Sequence, residues 1–311
     1  MSVRAALRAS PARRLSSWFH RHRALKLVLL LSPGLLWLGV FYLGSLGALL
    51  IQSFWRLEEF TGTVVREWGL SSYRELASPA NLDIILRTAV MAAVVTVACA
   101  VIAFPLAYYA ARVATPRMKT MLVLTILMPL WSSYLVRVYS WKLILAKEGV
   151  AAWGVDKVGL TGVLDWILST PVVGGPSLSQ SYLGMWIVFV YTWLPYMILP
   201  LEAALERVPG SFLDASSDLG ARPAATFRRV TLPLVLPGLV AGSIFTFSLT
   251  LGDFIIPTII GNSSFFIGAA VYLHQGTAGN LPLAAAFTVI PMMIMGIYLL
   301  GAKRTGAFEA M

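Results

Sequence analysis

The sequence predicts an all-α membrane protein with six transmembrane helices and both termini in the cytoplasm, and three observations carry that prediction. Of 311 residues, 58% are apolar and only 12% are charged, with a mean hydropathy of +0.77. A soluble core cannot hide that much apolar surface. Six mostly apolar stretches, each long enough as a helix to cross a hydrocarbon core of roughly 30 Å, lie near 27–53, 84–111, 121–146, 181–201, 236–261 and 283–302. None shows the period-two alternation of an outer-membrane barrel. With both ends inside, sixteen of the 24 Lys and Arg residues fall on inner segments, among them Arg4, Arg8, Arg13, Arg14, Arg21, Arg112, Arg117, Lys119, Arg207, Arg228 and Arg229. Basic residues near span ends are retained on the cytoplasmic side. The net charge of +10 therefore reflects topology, and no nucleic-acid partner is needed to explain it.

Residues 1–26 are a basic tail, which also holds His20 and His22. The first span follows it with an apolar core of about 25 residues, longer than a signal-peptide core, so it stays as an anchor. The second span carries the single cysteine, Cys99, read as a small packing residue; one cysteine excludes an internal disulfide and a multi-cysteine metal site. The third span contains Pro129 and leads into an outer segment, 147–180. There Val163–Leu168 is expected to form a short interfacial helix, ended by Pro171, Gly174, Gly175 and Pro176. Pro33, Pro105, Pro129, Pro195, Pro257 and Pro291 lie in or near spans, where each removes a backbone donor and either bends the helix or is tolerated. Gly238 and Gly242 form a G-x-x-x-G pair in the fifth span, which permits close helix approach. Residues 303–311 are the C-terminal tail.

The one long inner loop, 202–235, reads as two short helices. Pro209 and Gly210 break the chain. A helix over 211–219 takes Ser211 as N-cap and Asp214 in its first turn. Gly220 supplies a left-handed end. A second helix opens at Arg222 with Pro223 in its first position and shows Thr226, Arg228 and Arg229 to water or a partner; Pro233 and Pro237 stop it before the fifth span.

Within this loop, Asp214-Ala215-Ser216 is followed at fixed spacing by Gly220, Val230, Leu232 and Pro233. The pattern resembles the cytoplasmic E-A-A…G…I-x-L-P loop of permease subunits of bacterial ATP-binding-cassette importers, with Asp for Glu and Ser for the second Ala. It falls between the fourth and fifth of six spans, as in that family; the literal Glu202-Ala203-Ala204 has Val208 where the glycine belongs. The resemblance implies the type I importer permease fold. It also implies that Asp214, Ala215, Ser216, Gly220, Arg222, Val230, Leu232 and Pro233 dock on a partner ATPase and couple its closure to the membrane helices. The implied partners are a second permease subunit, an ABC ATPase dimer, an extracytoplasmic solute-binding protein and the lipid bilayer of the bacterial inner membrane.

This chain has no G-x-x-x-x-G-K-[ST] phosphate loop, so ATP and its Mg belong to the partner ATPase. No cofactor, metal site or catalytic residue is expected in it: it has no H-E-x-x-H, no G-x-S-x-G, and His274 stands alone.

Further stretches, Leu127–Trp141, Leu219–Pro223, Leu251–Pro257 and Gly261, narrow the resemblance to spermidine/putrescine-type permeases, whose relatives also carry ferric iron, phosphonates or opine-like, amino-acid-like compounds. For a cationic polyamine, Asp253 is a natural intramembrane ligand, and Trp131, Tyr134, Tyr191, Trp193 and Tyr196 offer cation–π contacts along a path. The other reading makes Asp253 a helix cap after Gly252 and the aromatics an interfacial belt. Arg137 and Lys142, if they line the path, favour an anionic or zwitterionic solute. The competing function classes are an ion-coupled secondary carrier, for which Asp253 is the one candidate acid, and a membrane scaffold.

Overall fold

The computed structural model describes residues 23–58, 60–262 and 265–304. The tail through residue 22, with Arg4, Arg8, Arg13, Arg14, Arg21, His20 and His22, lies outside them, as do residues 305–311. The chain divides between Gln52 and Ser53 into two compact units.

In the first unit, helix Arg23–Leu36, a π-helical segment Trp37–Leu43 and helix Gly44–Gln52 follow one another without a break. Pro33 leaves the Leu29 carbonyl without its helical donor, and the Ser32 hydroxyl donates to that oxygen at 2.9 Å, so the kink site is satisfied without water. Its apolar side chains, such as Leu30, Trp37 and Tyr42, are exposed all round, the mark of a helix that meets lipid or another chain.

In the second unit the second, fourth and fifth spans make the core. The second, Pro79–Arg112, shows a stripe of small buried residues one turn apart, Cys99, Ala103, Ala107 and Ala110. Cys99, Ala103 and Ala107 lie with Met185, Phe189, Met197, Leu201 and Leu205 of the fourth span, Tyr182–Arg207, in one cluster. The Cys99 thiol donates to the Val190 carbonyl at 3.8 Å, so it packs as expected. The fifth span reaches the fourth at its two glycines: a Cβ at Gly238 would come within 2.7 Å of the Pro200 carbonyl oxygen, and one at Gly242 within 2.8 Å of Met197 Sδ. Small residues thus let the backbones touch, which is how helices associate in lipid. The sixth span, Leu281–Arg304, stacks Tyr298 on Phe247 at 5.0 Å and donates its hydroxyl to Ser243 at 2.6 Å.

Four expectations need correction. The third span is not continuous: Pro116–Trp131 and Tyr134–Ile144 meet at 97°, because Pro129 ends the regular helix in a 3-10 turn and Ser132 and Ser133 are extended. The fourth span runs past 201 to Arg207, since Leu201, Glu202 and Leu205 continue its buried face. The stop at Pro233 and Pro237 does not occur. A helix from Pro223 runs through a π segment, Phe227–Thr231, into Leu232–Gly252, because π and helix–helix adjustments absorb lost proline donors in membrane helices. The fifth span consequently ends at Gly252, short of 261, and a separate turn, Ile255–Ile259, follows.

The segments between spans hold more structure than the sequence announced. A two-stranded antiparallel hairpin pairs Arg56–Leu57 with Val64–Val65. Helices Val150–Lys157 and Thr161–Leu168 fill the 147–180 segment, and helix Ile267–Gln275 fills the last.

Candidate functional site

Two constructions stand at opposite ends of one 30-residue helix, Pro223–Gly252. At its start the chain turns a corner. Val208 is extended before Pro209, as a residue preceding proline must be. The helix then spans Gly210–Asp218 with Pro209 as N-cap. Ser211 is therefore not the cap and Asp214 sits beyond the first turn, because the proline fixes the start two residues earlier than a Ser211 cap would. Gly220 has φ 75; its N–H donates to the Ser217 carbonyl at 2.8 Å and that of Ala221 to Ser216 at 3.1 Å. Those two bonds are a Schellman end, which a left-handed residue makes possible.

The second arm starts where expected, with Arg222 extended and Pro223 in the first position. Thr226 does not face water: its hydroxyl meets that of Ser216 at 2.9 Å and closes the corner. Phe227 packs edge-on to Phe104 of the second span at 5.1 Å. Asp214, Ala215, Arg222 and Pro233 are exposed, while Ser216, Val230 and Leu232 are half-buried. Phe212 and Leu219 stand out as large apolar side chains in the open, Leu219 at 88% exposure.

The root of the corner is held by residues that sequence reasoning took only as topology markers. Arg112, the last residue of the second span, donates from Nη2 to the carbonyls of Leu205 at 2.7 Å and Val208 at 2.6 Å. The Leu205 carbonyl also accepts the Val208 N–H at 3.3 Å, and a cation at this end of the fourth span suits the helix dipole. Lys119 pairs with Glu206 and lies 3.9 Å from buried Glu202. A signal existed in the sequence, since Glu202 and Glu206 are one turn apart on a helix, but the partner cation lies 87 residues away.

At the far end, Gly252 closes the helix and Asp253 is extended. Asp253 Oδ1 accepts the N–H groups of Ile255 at 2.7 Å and Ile256 at 3.2 Å, which makes it the cap of the following turn. Its Oδ2 accepts the hydroxyl of Tyr134, the first residue after the break in the third span. Tyr134 stacks on Trp193 at 5.8 Å, and Tyr196 meets the edge of Trp193 at 5.8 Å. A cavity of ≈ 330 Å³ opens there, walled by Tyr134, Trp193, Asp253 and Phe254. Two expected path residues are elsewhere: Tyr191 packs with Trp141 at 5.0 Å, and Trp131 is 77% exposed at the bend. Arg137 does not wall the cavity; it donates to the Ser132 carbonyl at 3.2 Å. The Trp193 indole N–H is buried without a hydrogen-bond partner among the described residues.

Residues 88–303 match the family described as binding-protein-dependent transport system inner membrane component. The chain is 51% identical over 306 residues to the inner membrane ABC transporter permease protein YdcU of Escherichia coli (strain K12), covering 97% of this chain and 98% of that protein. It is 28% identical over 234 residues to the spermidine/putrescine transport system permease protein PotB of the same organism, covering 74% and 80% of the two. Its fold is similar to a chain in the crystal structure of a bacterial alginate ABC transporter in complex with alginate pentasaccharide-bound periplasmic protein. There the TM-score is 0.72 at 14% identity, over 96% of this chain and 98% of that one.

Proposed function

Because this chain belongs to the binding-protein-dependent transport system inner membrane components, the permeases of ABC importers, we propose that its Gly210–Thr226 corner receives the thrust of a partner ATPase and that its solute is a polyamine. It is an inner-membrane transporter subunit rather than an enzyme. The observation that carries the coupling role is the continuity of the helix from Pro223 to Gly252. At about 1.5 Å per residue it is a strut of roughly 45 Å. One end bears the closed corner, with Phe212 and Leu219 bare for a partner; the other bears Asp253 and the cavity. A push on the corner moves the cavity wall, and alternating access follows as the cavity opens to one side and then the other.

Polyamine as solute is supported by the resemblance to spermidine/putrescine permeases, by the relatives of that type and by the acid and aromatic faces at the cavity. Cation–π contacts and a carboxylate are what an alkylammonium selects. The unpartnered Trp193 N–H favours a second reading, an amino-acid-like zwitterion whose carboxylate would accept from it.

ATP hydrolysis in proteoliposomes holding this chain with its sister permease, ATPase and binding protein distinguishes these. Stimulation by putrescine or spermidine alone supports the polyamine, stimulation by amino acids the zwitterion, and stimulation by phosphonates or ferric iron removes both. In the same assembly Asp214→Lys, which reverses the charge on the corner's exposed face, is expected to lower stimulated hydrolysis about tenfold, the size of a lost interfacial charge contact. Unchanged hydrolysis would remove the docking role.

A further inference from the structure

The third span is broken, and the break is fastened to the end of the fifth. The third span bends by 97° between Trp131 and Tyr134; the fifth stops at Gly252 and the chain restarts at Ile255. One side-chain hydrogen bond, from the Tyr134 hydroxyl to Asp253 Oδ2, joins the two. Asp253 is 9% exposed, and its donors are all neutral: one phenol and two backbone N–H groups. Among the described residues no Lys or Arg pairs with it, and none lines the cavity. A buried carboxylate at the end of a membrane span without a counter-charge is costly and normally has a partner. The space beside it is walled by the rings of Tyr134, Trp193 and Phe254, surfaces that attract a cation.

We infer that Tyr134 and Asp253 form a solute-released tie. A cationic group of the solute, an ammonium in either reading above, takes the place of the Tyr134 hydroxyl on Asp253 Oδ2 and so unfastens the third span from the fifth. No covalent bond changes; one hydrogen bond is exchanged for an ion pair, and the phenol rotates away with its proton. The two backbone bonds to Oδ1 stay, so the carboxylate keeps its position while the third span gains freedom. Tyr134 is a positioning residue in this scheme and Asp253 a selectivity residue. The released state is the one that a push along the fifth span would favour, which links solute arrival to hydrolysis by shifting a population.

The test uses the reconstituted importer with putrescine or an amino acid as probe, whichever stimulates the wild type, and reads substrate-free hydrolysis, KM and kcat. Tyr134→Phe removes the tie and keeps the ring. It is expected to raise substrate-free hydrolysis about tenfold, the scale of one lost hydrogen bond to a charged group. Asp253→Asn keeps the shape and loses the charge, and is expected to raise KM about tenfold, more than it lowers kcat. Should Tyr134→Phe fail to assemble, Asp253→Glu displaces Oδ2 and is expected to raise substrate-free hydrolysis in its stead. Substrate-free hydrolysis that stays at the wild-type level removes the tie; an unaltered KM in Asp253→Asn removes the exchange. A wild type stimulated only by an uncharged or purely anionic solute overturns the exchange and the two substrate readings together, while the Tyr134→Phe comparison still decides the tie.

Discussion

The two ends of the fifth-span helix are finished in opposite ways. At the corner the internal bonds are few and local, Gly220 to Ser217, Ala221 to Ser216, Ser216 to Thr226, and apolar Phe212 and Leu219 are left bare. At the cavity both oxygens of the one acid are spoken for by the protein itself, and its aromatic neighbours stack on one another. One end leaves large apolar side chains uncovered; the other has both oxygens of its acid bonded within the chain. In the coupling proposed above, the strut would carry a push from an end that a partner covers to an end that a solute releases.

The largest way to break that contrast is at Gly220. Proline there cannot reach φ 75 and removes the N–H that meets Ser217; with strain of about 3 kcal/mol, the corner opens. Uptake is expected to fall about a hundredfold with membrane insertion intact, measured as solute flux into vesicles with the protein quantified in the membrane. Wild-type flux would show that the corner does not carry the thrust.

A smaller effect is expected at the root. Arg112→Met keeps the aliphatic stem but removes the guanidinium bonds to the Leu205 and Val208 carbonyls, a loss of about 2 kcal/mol. It is expected to lower the unfolding midpoint of the purified permease and to weaken stimulated hydrolysis severalfold, whereas the cavity end is untouched and KM holds.

The smallest sharpens the other end. His274 sits on helix Ile267–Gln275, stacked on Phe287 at 5.8 Å. That helix reaches the cavity's neighbourhood, where Tyr272 stacks on Phe254 at 5.2 Å. Burial lowers the His274 pKa below its usual value, with Glu75 pulling partly the other way. A neutral histidine favoured by folding stabilises above the ordinary histidine pKa, and that contribution fades as pH drops through the lowered one. A modest loss of thermal stability on acidification is therefore expected, absent in His274→Phe. Equal acid sensitivity in both proteins would assign it elsewhere.

How much of this was legible follows the same divide. The corner was readable because its geometry is local: a glycine that must be left-handed, a proline at a helix start, and apolar residues at set intervals write themselves into spacing. Its two errors were local too. Ser211 lost the cap to Pro209, and Thr226 turned inward to Ser216, a contact ten residues apart that no periodicity records. The six spans were legible from hydropathy, but their ends were not, since Pro129 breaks a span while Pro105, Pro195 and Pro237 lie within intact helices. What separates them is the neighbourhood, extended serines in one case and packed helices in the others. The cavity was half legible. Asp253 was singled out as an acid in a span, but its bond to Tyr134 joins residues 119 apart, and nothing in the sequence told Trp193 from Tyr191, two positions apart on opposite sides of one helix.

The π segment Phe227–Thr231 fixes a compass bearing. Each residue of an α-helix turns the chain by about 100°, and a π turn holds one residue more than the α turn it replaces. Below it, Gly238 and Gly242 are locked against the fourth span; above it, Pro223–Thr226 carries the corner. Deleting a single residue within 227–231 would restore plain α-helix with the corner facing nearly as before, whereas winding the same residues as α-helix would swing the corner about 100° around the axis. The surplus residue is thus taken up within a single turn, and the faces on either side of it keep their bearing.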